Sequence, residues 1–349
     1  MRPFHPQDIA ALHAWTAASR RVTVTVHVHP DGDAAGSGLA LVRFLRALGK
    51  DAALVFPDPL PDTLRFLLES GDLVYDGVSQ PEESRRHIAG SDLLFSLDYN
   101  QFYRTENLAP WLEQAGGKKV LIDHHLDPDR ASFGLCFSET EVSSTCELLY
   151  RLLLTFPQTG GDPSRLQEGV RTALMTGMTT DTNNFANSVW PGTLDMASGL
   201  LDAGTDRDMI LDRLYHRARE NRLRLMGYLL YEAMEITPEG AAILILDKAL
   251  QQRFGILEGE TEGFVNLPLA LEKVRMSFFL KEEDGLMRVS IRSRRDIAAD
   301  RCAARYFHGG GHPCASGGKL RWPEDIAAPE ETAGYVRRIS RDFLKNEVK

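Results

Sequence analysis

The segment His27-Val28-His29-Pro30-Asp31-Gly32-Asp33 follows an apolar run, and so does Asp123-His124-His125. Each places carboxylates and imidazoles where a strand should end. Crowded acids repel one another and gain nothing structurally. Divalent cations make the arrangement favourable, and bound cations would then hold phosphate. The first loop also opens a helix, where backbone N–H groups alone can cradle an anion. It lacks G-x-G-x-x-G, however, and its two carboxylates would oppose a bare phosphate at low effective dielectric. A bound cation inverts that sign. The plainer reading, that Asp31 or Asp33 caps the following helix, accounts for one acid and leaves the other acid and His27 unexplained.

Asp98, in Leu97-Asp98-Tyr99-Asn100, by itself reads as a turn residue. Two consecutive imidazoles behind Asp123 rarely serve packing. One can ligate a metal while Asp123 orients it, and the other can face a substrate. Asp181 follows Met178-Thr179-Thr180 at a helix C-terminus, which disfavours an acid unless a cation compensates or a new turn is capped there. As a set, these residues exceed the needs of one ion. A carboxylate bridging two ions about 3.5–4 Å apart would make a two-metal hydrolytic site, and Asp98 is the candidate bridge.

A second cluster lies near the C-terminus, at His308-Gly309-Gly310-Gly311-His312. Three consecutive glycines let backbone N–H groups approach an anion and adopt positive φ. His312 and Ser316 can donate hydrogen bonds. Arg292, on an expected hairpin strand, can fork onto phosphate oxygens, and Arg294 and Arg295 add charge. The alternative is a flexible glycine turn beside a solvated arginine face. His5, His13, His87 and His216 have no convergent partners and read as surface or core. His29 either points away from His27 or lies near the site. Phe185 and Tyr99 either stack on bases or pack in the core.

The elements that must position these residues follow from hydrophobic patterning. Strands are expected over 21–28, 52–56, 93–97 and 119–122, the last two delivering Asp98 and Asp123. Helices are expected over 34–48, 61–70, 111–115, 144–156, 164–180 and 193–201. This alternation predicts a doubly wound, mainly parallel sheet, with ligands beyond the carboxyl ends of its strands. A charged, periodic stretch over 206–234 looks like a helical connector. Beyond it the texture changes: a strand over 241–246, a hairpin of 274–280 and 286–293 about Glu283-Asp284-Gly285, a helix over 297–307 and a surface helix beyond Pro329. The fold class is therefore α/β with two lobes. Residues 1–204 form the catalytic lobe, 205–237 a helical linker, and 238–349 a smaller α/β substrate-binding domain.

The chain has 349 residues, 43% hydrophobic and 26% charged, which is ordinary globular composition. Its net charge of −9 argues against gripping long duplexes by counterion release. A nucleic-acid partner should be short, or be met by a local basic patch such as the arginines above. The four cysteines show no CxxC pairing and read as reduced thiols rather than disulfides or zinc ligands. There is no basic flank leading into an apolar leader, and no run approaches about 18 apolar residues. The expectation is a cytoplasmic protein that does not span a membrane, with helix surfaces that permit a homodimer.

Taken together, these residues resemble the DHH phosphoesterase superfamily. The match comprises H-x-x-P-D-x-D (His27, Pro30, Asp31, Asp33), the isolated Asp98, Asp123-His124-His125, the late Asp181, and Gly309-Gly310-Gly311-His312 of a DHH-associated domain. Order and spacing agree over almost the whole chain. Length, Ser143-Ser144-Thr145 and Val289-Ser290-Ile291-Arg292-Ser293 are most similar to the NrnA type, small nano-RNases that also dephosphorylate 3′-phosphoadenosine 5′-phosphate (pAp). The resemblance implies that His27, Asp31 and Asp98 bind one metal, and Asp33, Asp98, His124 and Asp181 the other. Manganese is the first expectation and magnesium the second. Asp98, Asp123 and His125 would be catalytic, with His125 stabilising phosphoryl oxygens or protonating the leaving group. Arg292, Gly309, Gly310, Gly311, His312 and Ser316 would hold the substrate.

Short single-stranded RNA and small nucleotides are the implied partners, with nucleoside monophosphates and AMP as products. Two departures stand out: Asn183-Asn184 where many relatives would have Gly, and Pro313-Cys314 where a basic residue and Asn are expected. One alternative keeps the chemistry and changes the substrate, to a cyclic or linear dinucleotide or to pyrophosphate. Another is a nucleotide sensor without turnover. A nicotinamide-binding Rossmann enzyme fits the sheet and fails at the acidic loop.

Overall fold

The computed structural model describes residues 4–257 and 259–346. The outer residues of the expected domains, 1–3 and 347–349, lie outside the described residues. The chain separates into two compact units, 1–217 and 218–349, a division inside the stretch expected to be one connector. That stretch is broken into helices Arg207–Tyr215 and Glu220–Tyr228, followed by a π-helical turn Leu229–Ala233. The break has a packing cause: Ile210 is buried in the core of the first unit, and Leu225 and Leu229 in a core of the second.

The first unit is built on a sheet of β1 (Arg21–Thr25), β2 (Asp51–Phe56), β3 (Val74–Asp76), β4 (Leu93–Leu97), β5 (Lys118–Asp123) and β6 (Leu135–Ser138). Their order is β3-β2-β1-β4-β5-β6, and every pairing is parallel. The expected doubly wound sheet is present. Patterning missed β3, which is only half buried, and β6, whose burial alternates. Neither offers a continuous apolar run. Strand β1 is shorter than expected. Beyond Thr25 the chain leaves the sheet, and the Val28 N–H donates to Arg104 O at 2.9 Å instead. The order of strands reverses between β1 and β4, so the crevice beyond their carboxyl ends is where such a sheet takes ligands.

Two helices carry site residues and pack face to face, Gly32–Ala47 and Glu168–Asp181. Glycines permit the close approach. A Cβ on Gly36 would lie 2.5 Å from the Ala173 carbonyl oxygen, and one on Gly177 would lie 2.3 Å from Cys146 Sγ. The segment expected as a helix over 61–70 is a 3-10 turn, Asp62–Leu67. The four cysteines form no disulfide. Among the described residues, no helix is long and apolar enough to cross a membrane.

The second unit is built on β7 (Glu235–Ile236), β8 (Ala241–Leu246), β9 (Met276–Glu283), β10 (Leu286–Ser293), β11 (Gly310–His312) and β12 (Ala315–Arg321). The order is β11-β12-β10-β9-β8-β7, with β8 and β9 parallel and the other pairs antiparallel. The hairpin turns at Gly285 with φ 77°. The glycine run is a strand rather than an open turn. The last helix, Thr332–Asn346, is more than a surface element, because Val336, Ile339, Phe343 and Leu344 are core residues.

Gly36→Ala forces a methyl into the carbonyl of a facing helix. It should destabilise the protein by about 1–3 kcal/mol, read as a lower urea midpoint at unchanged m-value. An unchanged midpoint would rule out the close helix contact.

Candidate metal centre

The four strand- or helix-end segments named from sequence converge within the first unit. Asp31 caps the helix Gly32–Ala47: its Oδ1 accepts from the Asp33 and Ala34 N–H groups, each at 3.0 Å. The capping explanation thus holds for Asp31, and the same oxygen lies 3.8 Å from His27 Nε2. Asp98 directly follows β4 with φ 62°, left-handed backbone that non-glycine residues seldom adopt. Its N–H still donates to Ile122 O at 3.1 Å, so the side chain swings into the crevice while the backbone stays tied to β5. Asp123 ends β5, and His124 and His125 follow. Asp181 is the last residue of its helix, and the cation its position requires is His124, whose Nε2 lies 3.5 Å from Asp181 Oδ2.

Asp98 is central. Its Oδ2 is 3.3 Å from His27 Nε2, and its Oδ1 is 3.4 Å from His124 Nε2. The ligand atoms of His27, Asp31 and Asp98 lie within 4.8 Å of one another, and so do those of Asp33, His124 and Asp181. Asp98 therefore reaches both sets. Asp33, fully buried, is gripped by the N-terminus of the helix Thr145–Leu154: Thr145 N–H donates to Oδ2 at 2.7 Å and Cys146 N–H to Oδ1 at 2.9 Å. Positive helix ends favour a carboxylate in that place. His125 Nδ1 is 2.7 Å from Asp123 Oδ1, a carboxylate–imidazole pair 3.8 Å from Asp98 Oδ1.

The electrostatics are those of a cluster short of positive charge. Burial works against the imidazolium of His27, but its hydrogen bond to Asp98 and the charge of Asp31 push the pKa up to about 9. His124 goes up to about 10 in spite of burial, through Asp98 and Asp181. Burial and the neighbouring Asp98 charge push Asp33 up to about 8. Burial and Asp33 hold Asp181 well above the ordinary carboxylate range. Asp98 moves the other way, because contact with His124 and His27 outweighs its burial. Protons on imidazoles and carboxyls thus occupy the place where cations would neutralise the acids. Asp123 Oδ2 is buried without a hydrogen-bond partner. A donor set of carboxylates and imidazoles, with an orphaned carboxylate oxygen beside it, fits divalent ions that take oxygen and nitrogen ligands.

Other residues singled out from sequence fall elsewhere. His29 turns to Asp58, 3.6 Å away. Tyr99 is a core residue, fully buried, with its hydroxyl bonded to Ser96 Oγ at 2.6 Å and Thr25 Oγ1 at 2.7 Å. Phe185 is half buried under Arg207. Asn183, Asn184 and Phe185 have φ of 47°, 56° and 66°, so the asparagines stand where left-handed backbone would suit glycine, and asparagine is the next best residue for it.

Within the second unit, Arg292 on β10, Ala315 on β12 and His312 on β11 are register partners on one face, with Gly310 and Gly317 one row along. A Cβ on Gly310 would meet nothing within 4 Å, whereas Gly309 and Gly311 are needed for backbone packing at 1.9 Å and 2.7 Å. Of the three glycines, Gly310 alone offers open space. Ser316 pairs in register with buried Ile291, on the face opposite Arg292, and its hydroxyl donates to His312 O at 2.8 Å. Arg294, expected to add charge, donates to the carbonyls of Val274 and Leu271 at 2.8 Å and 3.0 Å.

Sequence reasoning missed Thr145 and Cys146 as the groups holding Asp33. A signal existed: Ser144 and Glu147 form S-x-x-E, and Ser144 Oγ accepts the Glu147 N–H at 3.1 Å, marking a helix start. The close-packing glycines had no such signal.

Residues 21–178 match the model of the DHH family, N-terminal domain. The chain is similar to the bifunctional oligoribonuclease and PAP phosphatase NrnA of Thermus thermophilus, 32% identical over 321 residues, covering 90% of this chain and 89% of that one. It is 28% identical to the protein of the same name from Bacillus subtilis, over 85% of this chain and 89% of that one. Among solved structures, an exopolyphosphatase-related protein from Bacteroides fragilis aligns over 100% of both chains with a TM-score of 0.90 and 31% identity.

His27, His124 and Asp33 all bind protons more tightly in the folded protein than unfolded, where imidazole titrates near 6.5 and aspartate near 3.8. The folded state therefore loses stability as pH rises, through Asp33 between 3.8 and about 8, through His27 between 6.5 and about 9, and through His124 between 6.5 and about 10. The melting temperature of metal-free protein should fall across these windows. Saturating Mn²⁺ should raise it and flatten the slope, since metal replaces the protons. A metal-free melting temperature that stays level from pH 6.5 to 8.5 would contradict this.

Proposed function

The chain belongs to the DHH family, and from that premise we propose that it degrades short oligoribonucleotides to nucleoside monophosphates and dephosphorylates pAp to AMP. It is a hydrolytic phosphoesterase of a family that uses divalent metal. The observation that carries the reading is Asp98, with one oxygen 3.3 Å from His27 and the other 3.4 Å from His124. His27, Asp31 and Asp98 would hold one cation, and Asp33, Asp98, His124 and Asp181 the second, with Mn²⁺ the first choice. Bound there, such cations would supply polarisation of phosphoryl oxygens and a more acidic bound water.

The chain's own side chains supply the rest. Asp123, 2.7 Å from His125 Nδ1, fixes the tautomer and the orientation of the ring. That orients His125 to donate through Nε2 to a phosphoryl oxygen or to the leaving oxygen. Asp33, clamped by two helix N–H groups, holds its carboxylate plane without reorganisation. Arg292, His312 and the Gly310 N–H bind the terminal phosphate of the substrate by charge-assisted hydrogen bonds. Arg292 and His312 in one cross-strand row, on a chain of net charge −9, suit a short strand better than a long duplex. A cytoplasmic location fits substrates of this class.

The test is product identification from labelled di- to pentanucleotides, pAp and cyclic di-AMP, with Mn²⁺ and with chelator. Monophosphates from the oligonucleotides and AMP from pAp are expected, with chelator abolishing both. Turnover of cyclic di-AMP alone would favour the dinucleotide alternative, and no product from any substrate would end the reading. Asp98→Ala should reduce hydrolysis to background at saturating Mn²⁺ while the circular dichroism spectrum is kept. Near-normal turnover would remove Asp98 from the bridge. Arg292→Ala should raise KM for a short RNA by about 10- to 100-fold with a smaller effect on kcat. An unchanged KM would discard the arginine contact.

A further inference from the structure

Thr145 touches both halves of the acidic cluster. Its N–H donates to Asp33 Oδ2 at 2.7 Å, and its hydroxyl donates to Asp98 Oδ1 at 3.0 Å. The terminal torsion of an aspartate is broad, so nothing in Asp98 itself sets the plane of its carboxylate. That plane decides which oxygen faces which imidazole: Oδ1 toward His124 at 3.4 Å and Oδ2 toward His27 at 3.3 Å.

Thr145 is in turn held rigidly. It is fully buried, and its β-branched side chain is confined in χ1. The residue before it, Ser144, caps the helix. One residue further back, Ser143 is bound through N–H and hydroxyl to Glu147 Oε2 at 2.9 Å and 2.7 Å. The same oxygen accepts from Thr193 Oγ1 at 2.7 Å. The hydroxyl of Thr145 is therefore delivered to Asp98 from a fixed point.

We infer that Thr145 is a positioning residue, whose hydroxyl fixes the plane of the Asp98 carboxylate so that one oxygen serves each cation. The inference rests on the two-metal reading of the site. Thr145→Val removes the hydroxyl at nearly constant shape and leaves the N–H contact to Asp33, and Thr145→Ser restores the hydroxyl.

Full-length wild type and both variants are titrated with Mn²⁺ by calorimetry and examined by low-temperature electron paramagnetic resonance. The wild type should take up two ions and show the spectrum of an exchange-coupled pair. Thr145→Val should bind the weaker ion about 10- to 100-fold less tightly and lose the coupled signal, with Thr145→Ser close to wild type. Two ions bound by Thr145→Val with normal affinity and coupling would overturn the inference. So would an equal loss in Thr145→Ser, which would assign the effect to packing. If Thr145→Val does not fold, Thr145→Ala is read by the same criteria. A wild type that binds no pair of ions would instead overturn the two-metal reading itself.

Discussion

Mutual repulsion among Asp31, Asp33, Asp98 and Asp181, crowded about two imidazoles, is the constraint to which the first unit is built. Like charges at this spacing in a buried place stay together only if the scaffold is stiff and positive charge is supplied. Without metal, part of that charge comes from protons on His27 and His124, both titrating well above an ordinary imidazole. Cations bound there would displace these protons, and metal binding, pH and stability would then be linked in one site.

Stiffness comes from three sources that meet at the crevice between β1 and β4. The parallel sheet fixes the ends from which His27, Asp98 and Asp123 project. The glycine-lined contact between helices Gly32–Ala47 and Glu168–Asp181 sets Asp33 and Asp181 side by side; a Cβ on Gly177 would come within 2.9 Å of Asp33 Oδ1. The N-terminus of the helix Thr145–Leu154 then supplies uncharged donors to Asp33 and Asp98.

The second unit handles charge differently. Its antiparallel strands place Arg292 and His312 in one cross-strand row, with glycine beside them on the same face and the core on the other. Alternation along each strand separates the face of Arg292 from the core-facing residues, so Ser316 is drawn to the core side although it lies within reach in sequence. On the face of Arg292, Gly310 leaves open space in which a Cβ would meet nothing within 4 Å.

Much was legible in the chain itself. Strand ends bearing His27, Asp98 and Asp123 could be read because a buried parallel strand is a short apolar run, and a hydrophilic residue after it marks the exit. The fold class followed from the alternation of such runs with helices. The weak strands β3 and β6 were hidden because half-buried edges carry no continuous pattern. The connector over 206–234 looked continuous because periodicity reports amphipathicity and not which core a face enters; Ile210 and Leu225 enter different ones. Residue types alone determined that acids and imidazoles are available for metal chemistry. Only tertiary structure decided that Thr145 reaches Asp98, that Gly310 rather than its neighbours stays open, and that Ser316 turns inward. The contact between Thr145 and Asp98 joins residues 47 apart in the chain, and no local pattern encodes it.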